Sequence, residues 1–286
     1  IPAVAGERTG AGASAIEMLY PPTSIAGDVV LVTGATAGIG EACAWRFAEA
    51  GCKLVLTGRR AERLDSLKAS LEAKYPGVAV TCVTMDVTEL ERVAALPEAL
   101  LPLKVDVLVN NAGLALGVAP AEANSIADVQ QMMATNVTAL LAMSAAFLPG
   151  MKARGKGHLI NIGSIAGHEA YAGGSAYCAS KAAVSAFTTA ARQDLVGTPV
   201  RVTCISPGAV NTEFSTVRFG SKAEADKVYE NLEPLVAADV ADNVLYAATR
   251  PKHVQIAEML VFCTNQAGAK NIARVGPSLG GPSPSS

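Results

Sequence analysis

Tyr177 and Lys181 stand four residues apart in SAYCASKAAVSAF, and Ser164 closes the apolar run HLINIGS thirteen residues before the tyrosine. Four residues make about one helical turn, so the phenol and the ammonium share a helix face. A cation beside a phenol favours its ionised form and should lower the tyrosine pKa from its ordinary value near ~10 by roughly 1 to 3 units, towards the range useful for proton transfer. The pair alone is weak: six Tyr and eleven Lys in 286 residues supply about 0.2 such spacings by chance. Its weight comes from the glycine loop TGATAGIG at 33–40, far upstream.

In that loop Gly34 allows a tight exit from a strand, while Gly38 and Gly40 allow close backbone approach to a pyrophosphate. The helix that follows presents unpaired amides and its positive dipole end. Together with Tyr177 and Lys181 the loop reads as an enzyme that moves a hydride with a nicotinamide cofactor. The choice of cofactor falls at the end of the second apolar run, where an acidic residue would hydrogen-bond a ribose 2′-hydroxyl. Here Gly58 is followed by Arg59 and Arg60, whose guanidinium groups suit a 2′-phosphate by charge and shape, so NADP(H) is expected over NAD. The bland alternative is two solvated arginines at a helix start. Asp86, at the end of the third run, could accept from an adenine amino group or serve only a turn.

The elements that must position these residues are legible as apolar runs at 29–33, 53–57, 78–85, 105–110, 158–163, 200–205 and 259–263, separated by helical patterns. Continuous apolarity indicates strands buried on both faces. The pattern predicts an α/β fold, a Rossmann-type doubly wound parallel sheet of about seven strands in a single domain. Capping boxes are expected at Thr88 to Glu91 and Ser125 to Asp128, with long helices over 125–153 and 174–197. In such a sheet ligands bind beyond the carboxyl ends of the strands. Six of the seven ends carry distinctive residues: the glycine loop, Gly58-Arg59-Arg60, Asp86, NNAG at 110–113, Ser164, and PGAVNT at 207–212.

Composition narrows the classes. Basic and acidic side chains nearly balance at 23 against 25, and no basic stripe points to nucleic acid. No uninterrupted apolar stretch approaches the roughly 18 residues of a membrane span, since VTALLAMSAAFLPGM contains Thr138, Ser144 and Pro149, so no membrane partner is expected. Six scattered cysteines without a Cys-x-x-Cys spacing read as reduced and buried, and three isolated histidines make a metal site unexpected. The domain is expected over 27–275, with an N-terminal extension at 1–26 and a low-complexity tail at 276–286. The chain opens on Ile1 rather than Met, which suggests trimming; the expected compartment is the cytoplasm, with an organelle as the alternative.

The combination TGxxxGxG, NNAG, Asn136, Ser164, Tyr177-x-x-x-Lys181 and PGxVxT resembles the short-chain dehydrogenase/reductase family over about residues 28 to 265. The phrases TGRRAERL, NNAGLALG, AYAGGSAYCASKAAV, NTEFSTVRF and FCTNQAG are closer still to its NADP-dependent 3-hydroxy acid dehydrogenase branch, also called serine 3-dehydrogenases or malonic semialdehyde reductases. Sulfoacetaldehyde reductases are similar neighbours. The resemblance implies Tyr177 as general acid and base, Lys181 as its tuner and ribose ligand, Ser164 as the group that polarises the carbonyl, and Asn136 as anchor of a water leading from Lys181. It also implies cofactor contacts from Thr36, Ile39, Val87, Asn110, Ala112, Gly113, Pro207, Gly208, Val210 and Thr212. A homotetramer paired through the two long helices is implied as well. The expected reaction interconverts a small 3-hydroxy acid and its carbonyl or semialdehyde. A general carbonyl reductase, a sugar-nucleotide epimerase or a silent binding protein are the alternatives.

In this family the stretch at about 211–231 usually forms a substrate lid. Arg218 is its only arginine, flanked by Phe214 and Phe219, and a bidentate guanidinium there would select a carboxylate or sulfonate. The alternative is a solvated arginine, or one paired with Glu213 or Glu224.

Overall fold

All seven apolar runs become strands of one parallel sheet in the computed structural model, which describes residues 23–276. Most of the expected extension at 1–26, and all but the first residue of the expected tail at 276–286, lie outside the described residues. The strands are β1 (Val29–Thr33), β2 (Lys53–Gly58), β3 (Val80–Thr84), β4 (Val107–Asn110), β5 (Gly157–Ile162), β6 (Val200–Pro207) and β7 (Glu258–Val261), in the order β3-β2-β1-β4-β5-β6-β7. Their ends fall within two residues of the sequence reading.

Alternation within β1 explains why the sheet must be covered twice. Val30 and Val32 face one core layer with Phe47, Leu54, Leu56, Val240 and Val244, while Val29 and Leu31 face another with Leu108, Met143, Phe147 and Leu159. Helices α1 (Gly38–Glu49), α2 (Ala61–Lys74) and α9 (Ala237–Ala248) close the first layer. The second is closed by α3 (Leu90–Ala99), α5 (Ala139–Arg154) and α6 (Ser175–Asp194). The chain reverses its direction of travel between β1 and β4, the switch point where such sheets open a crevice.

One local expectation needs correction. The capping box at Thr88 does not form, because α3 starts only at Leu90 and the Thr88 hydroxyl donates instead to Asp86 Oδ1 at 2.8 Å. Ser125 does cap α4 (Ile126–Met133), its hydroxyl accepting from the Asp128 amide at 3.3 Å. The long helix expected over 125–153 forms. α4, a π turn at Ala134–Thr138 and α5 join into one 29-residue helix, with Thr138 inside the π turn and Pro149 accommodated within α5. By length and composition alone that helix could cross a membrane, but its α5 part packs on α3, β4 and β5. Gly155, at φ 66°, ends it in the left-handed region that glycine adopts readily.

Candidate active site

The glycine loop is held by β4 as much as by its own turns. Thr33 Oγ1 accepts from the amides of Asn111 and Ala112 at 3.0 Å each, and Asn111 Nδ2 donates to the carbonyls of Thr33 at 2.9 Å and Gly34 at 3.2 Å. Gly34 turns at φ 68° with Ala112 so close that a Cβ would lie 3.0 Å from its Cα. Gly38 turns at φ 58° to open α1, whose cap Ala37 offers no side-chain hydrogen bond, leaving first-turn amides for an anion or water. Gly40 has a different role from the one expected. It does not line the cleft; a Cβ there would strike the Gly34 carbonyl and Asn111, so glycine is required for α1 to pack on the loop. Asn110 also lies off the cleft. Its amide donates to Ser144 Oγ at 3.1 Å and Asn161 Oδ1 at 3.0 Å, tying β4 to α5 and β5.

A cleft of about 820 Å³ runs along the carboxyl ends of the strands, from Arg59 and Arg60 past Gly34, Thr36, Gly38 and Ile39 to Ser164, Tyr177 and Lys181. Asp86, Val87, Ala112, Gly113, Pro207, Gly208, Val210 and Thr212 line it too, as expected of a common edge. Asp86 accepts from the Thr88 amide at 2.9 Å; partial burial pushes its carboxyl up, but the Thr88 bonds and nearby Arg59 hold it below its ordinary value. Arg60 is the more organised arginine: Nε and Nη2 donate to Thr36 Oγ1 at 3.2 and 2.8 Å, and Nη1 pairs with Glu213 at 3.0 Å. Arg59 is 68 % exposed and reaches Asp86 only at 3.7 Å.

Ser164 follows β5, its Oγ accepting from the Ala166 amide at 3.1 Å, and it stands near enough to Tyr177 to act downward on the phenol pKa. Lys181 Nζ donates to the Ile162 carbonyl at 2.8 Å and lies 6.0 Å from the Tyr177 ring centre. The expected lowering of the phenol pKa is reversed. Burial pushes Tyr177 above its ordinary value, outweighing Ser164 and Arg218, which act downward, and Lys181 is not among the groups that move it. The same burial brings Lys181 down to about 8. Asn136 sits in the π turn and is 1 % exposed. Its side chain is used up within the protein: Oδ1 accepts from the Leu114 amide at 2.8 Å, and Nδ2 donates to the Leu114 carbonyl at 2.8 Å and Ser180 Oγ at 3.0 Å.

The far end of the cleft is closed by α7 (Glu213–Phe219), α8 (Lys222–Val228) and the returning chain at 266–274. Arg218 Nη1 donates to the Tyr171 hydroxyl at 2.9 Å, and its guanidinium lies 5.4 Å from the Tyr177 ring centre. It has no carboxylate partner among the described residues: Glu213 pairs with Arg60 and Arg63, and Glu224 with Lys227. Phe214 packs on Tyr177 at 5.7 Å between ring centres. Nothing in local spacing marks Tyr171, Gln266 or Lys270, which reach this end from distant segments. Lys270 Nζ lies 4.6 Å from the Tyr171 ring centre. Gln266 accepts from the Ala209 amide at 2.8 Å, and a Cβ on Gly208 would strike it, so that glycine is demanded by the protein itself.

A dinucleotide crevice at the switch point that ends on a Ser, Tyr and Lys cluster defines a nucleotide-dependent oxidoreductase of the Rossmann class. The model of the short chain dehydrogenase family matches residues 28–222, and the chain belongs to that family. It is 43 % identical over 253 residues to the NADP-dependent 3-hydroxy acid dehydrogenase of Schizosaccharomyces pombe, covering 87 % of this chain and 97 % of the relative. To the enzyme of the same description from Salmonella typhi it is 49 % identical, covering 84 % and 97 %. Among solved structures it resembles the closed form of serine dehydrogenase complexed with NADP+, at TM-score 0.80 and 45 % identity, with 84 % and 97 % covered.

Proposed function

We propose that this protein is an NADP-dependent oxidoreductase that interconverts a small 3-hydroxy acid and its carbonyl or semialdehyde. The observation that carries the reading is the single cleft joining the Arg59-Arg60 end to the Ser164, Tyr177 and Arg218 end. Similarity to relatives named for NADP and for hydroxy acids or serine supports it. The residues fit the cofactor: the uncapped start of α1 suits a pyrophosphate, and Arg60, set by Thr36, suits a 2′-phosphate. When bound, the reduced nicotinamide supplies the hydride.

The chain's own residues supply the proton and the alignment. Ser164, beside Tyr177, holds the carbonyl oxygen by hydrogen bonding. Because burial keeps Tyr177 protonated at neutral pH, the phenol is poised to give its proton to that oxygen as the alcohol forms, and takes it back in oxidation. Lys181, fixed to the Ile162 carbonyl, orients the ribose and keeps a cation near the developing phenolate. Asn136 holds the loop of Leu114 against α6 through Ser180. Its place in a π turn, which breaks the regular i to i−4 ladder, supports the role of water anchor for its backbone.

Residues 211–231 act as the lid, and Arg218 anchors the substrate carboxylate. Support comes from its lack of a carboxylate partner, and from a buried Nε with no hydrogen-bond partner, among the described residues. A homotetramer paired through the long helices fits the exposed small residues Ala179, Ala182 and Ala186 along α6. The six free cysteines suit a reducing cytoplasm. The test is NADPH consumption with a panel of small semialdehydes, acidic and neutral. Turnover of the acidic members supports the reading, and inertness across the panel refutes it.

A further inference from the structure

Glu213 stands where two halves of the site meet. It is the first residue of α7, which also carries Arg218, yet its carboxylate reaches across the cleft mouth to Arg60 Nη1 at 3.0 Å and Arg63 Nη1 at 2.7 Å. Arg63 lies in the first turn of α2 and pairs with nothing else among the described residues. A carboxylate on Arg60 Nη1 occupies a donor that a phosphate would need, since both anions are recognised through guanidinium N–H groups. Arg60 is also held by Thr36 Oγ1, so its head cannot swing away to serve Glu213 and a 2′-phosphate in different places. Two partners give Glu213 somewhere to go: it can release Arg60 and keep Arg63.

We propose that Glu213 is a positioning residue that sets cofactor selectivity, acting as an internal stand-in for the 2′-phosphate on Arg60 and retreating to Arg63 when NADP(H) binds. The inference rests on the reading of Arg60 as a 2′-phosphate ligand. The clasp holds α7 to the cofactor end of the cleft at all times, through both arginines before binding and through Arg63 after it. The exchange lowers NADPH affinity by the strength of the Arg60 pair and leaves NADH, which lacks the phosphate, unaffected. All three side chains are about half exposed, and exposed pairs are worth ~0.2–1 kcal/mol, so the expected effect is about two- to fivefold.

The experiment is direct titration of the purified protein with NADPH and with NADH, followed by nicotinamide fluorescence at low ionic strength, where screening is weakest. Glu213→Gln should tighten NADPH binding about two- to fivefold and leave NADH unchanged. Arg63→Ala, which removes the retreat, should weaken NADPH binding, and this loss should vanish in the Glu213→Gln background. If Glu213→Gln leaves NADPH affinity within experimental error or weakens it, the stand-in role is overturned. An Arg63→Ala loss of equal size in both backgrounds also overturns it, by making Arg63 a direct phosphate ligand. The underlying reading fails separately, if the unmodified protein binds NADPH no more tightly than NADH.

Discussion

Replacing Arg218 by Leu tests how the substrate is chosen. Leucine keeps much of the apolar stem that packs beside Phe219 and the tyrosine rings but removes the charge and the donors. Arg218 spends one donor on the Tyr171 hydroxyl and has no carboxylate partner among the described residues, so a substrate carboxylate can be added without breaking an ion pair there. Charge-assisted hydrogen bonds contribute about 1.5–3 kcal/mol. Discounting that range for a partly exposed site gives ~1.4 kcal/mol or more, a rise in KM of about tenfold. The assay compares kcat and KM for a semialdehyde acid with those for an uncharged aldehyde of similar size, using NADPH throughout. The acid should lose affinity about tenfold while the neutral aldehyde changes little. Equal losses for both would refute the anion anchor and make Arg218 a wall of the pocket.

Arg60→Ala should weaken NADPH binding by about 2 kcal/mol, roughly 30-fold, with little change for NADH; Arg59→Ala should cost less, since Arg59 is more exposed and less organised. Equal losses for the two cofactors on titration would point to a folding defect instead. Gly40→Ala should destabilise the fold by roughly 1–3 kcal/mol, lowering Tm by about 2–4 °C per kcal/mol in a domain of this size, because its methyl group meets the Gly34 carbonyl. An unchanged melting curve would show that α1 can shift without cost. The raised Tyr177 pKa means that the acid form prevails at neutral pH and the base form gains only as pH climbs. Alcohol oxidation should therefore accelerate from neutral towards alkaline pH, whereas carbonyl reduction should not; parallel rises in both pH profiles contradict the assignment.

The features of the fold and site that are legible in the sequence share one physical property: they are encoded locally. Val29–Thr33 is buried on both faces, so Val29 to Val32 are apolar without a break, and the strand ends follow from runs of that kind. The Tyr177 and Lys181 spacing is fixed by one helical turn. What escaped depends on chain segments far apart in sequence. The neighbours of Tyr171 and Gln266 are set by how 266–274 folds back over the strand ends, and the pairing of Glu213 with Arg60 and Arg63 spans 153 and 150 residues. Gly40 and Asn110 belong to recognisable motifs, yet their side-chain space is taken by the protein itself. The downward shift expected for Tyr177 failed because spacing along a helix conveys proximity to Lys181 but not desolvation, which dominates in the buried cluster.

The central claim is that Tyr177 exchanges the proton in an NADP-dependent hydride transfer, and Tyr177→Phe tests it most directly because it removes one oxygen and keeps the ring against Phe214. NADPH oxidation with a small semialdehyde acid should proceed with the unmodified protein and fall at least ~100-fold in the variant. NADPH affinity should stay within about twofold in the same preparations, close to the spread expected when no ligand contact is lost. Turnover in the variant above about a tenth of the unmodified rate would contradict the account, since a positioned acid supplies ~100-fold or more.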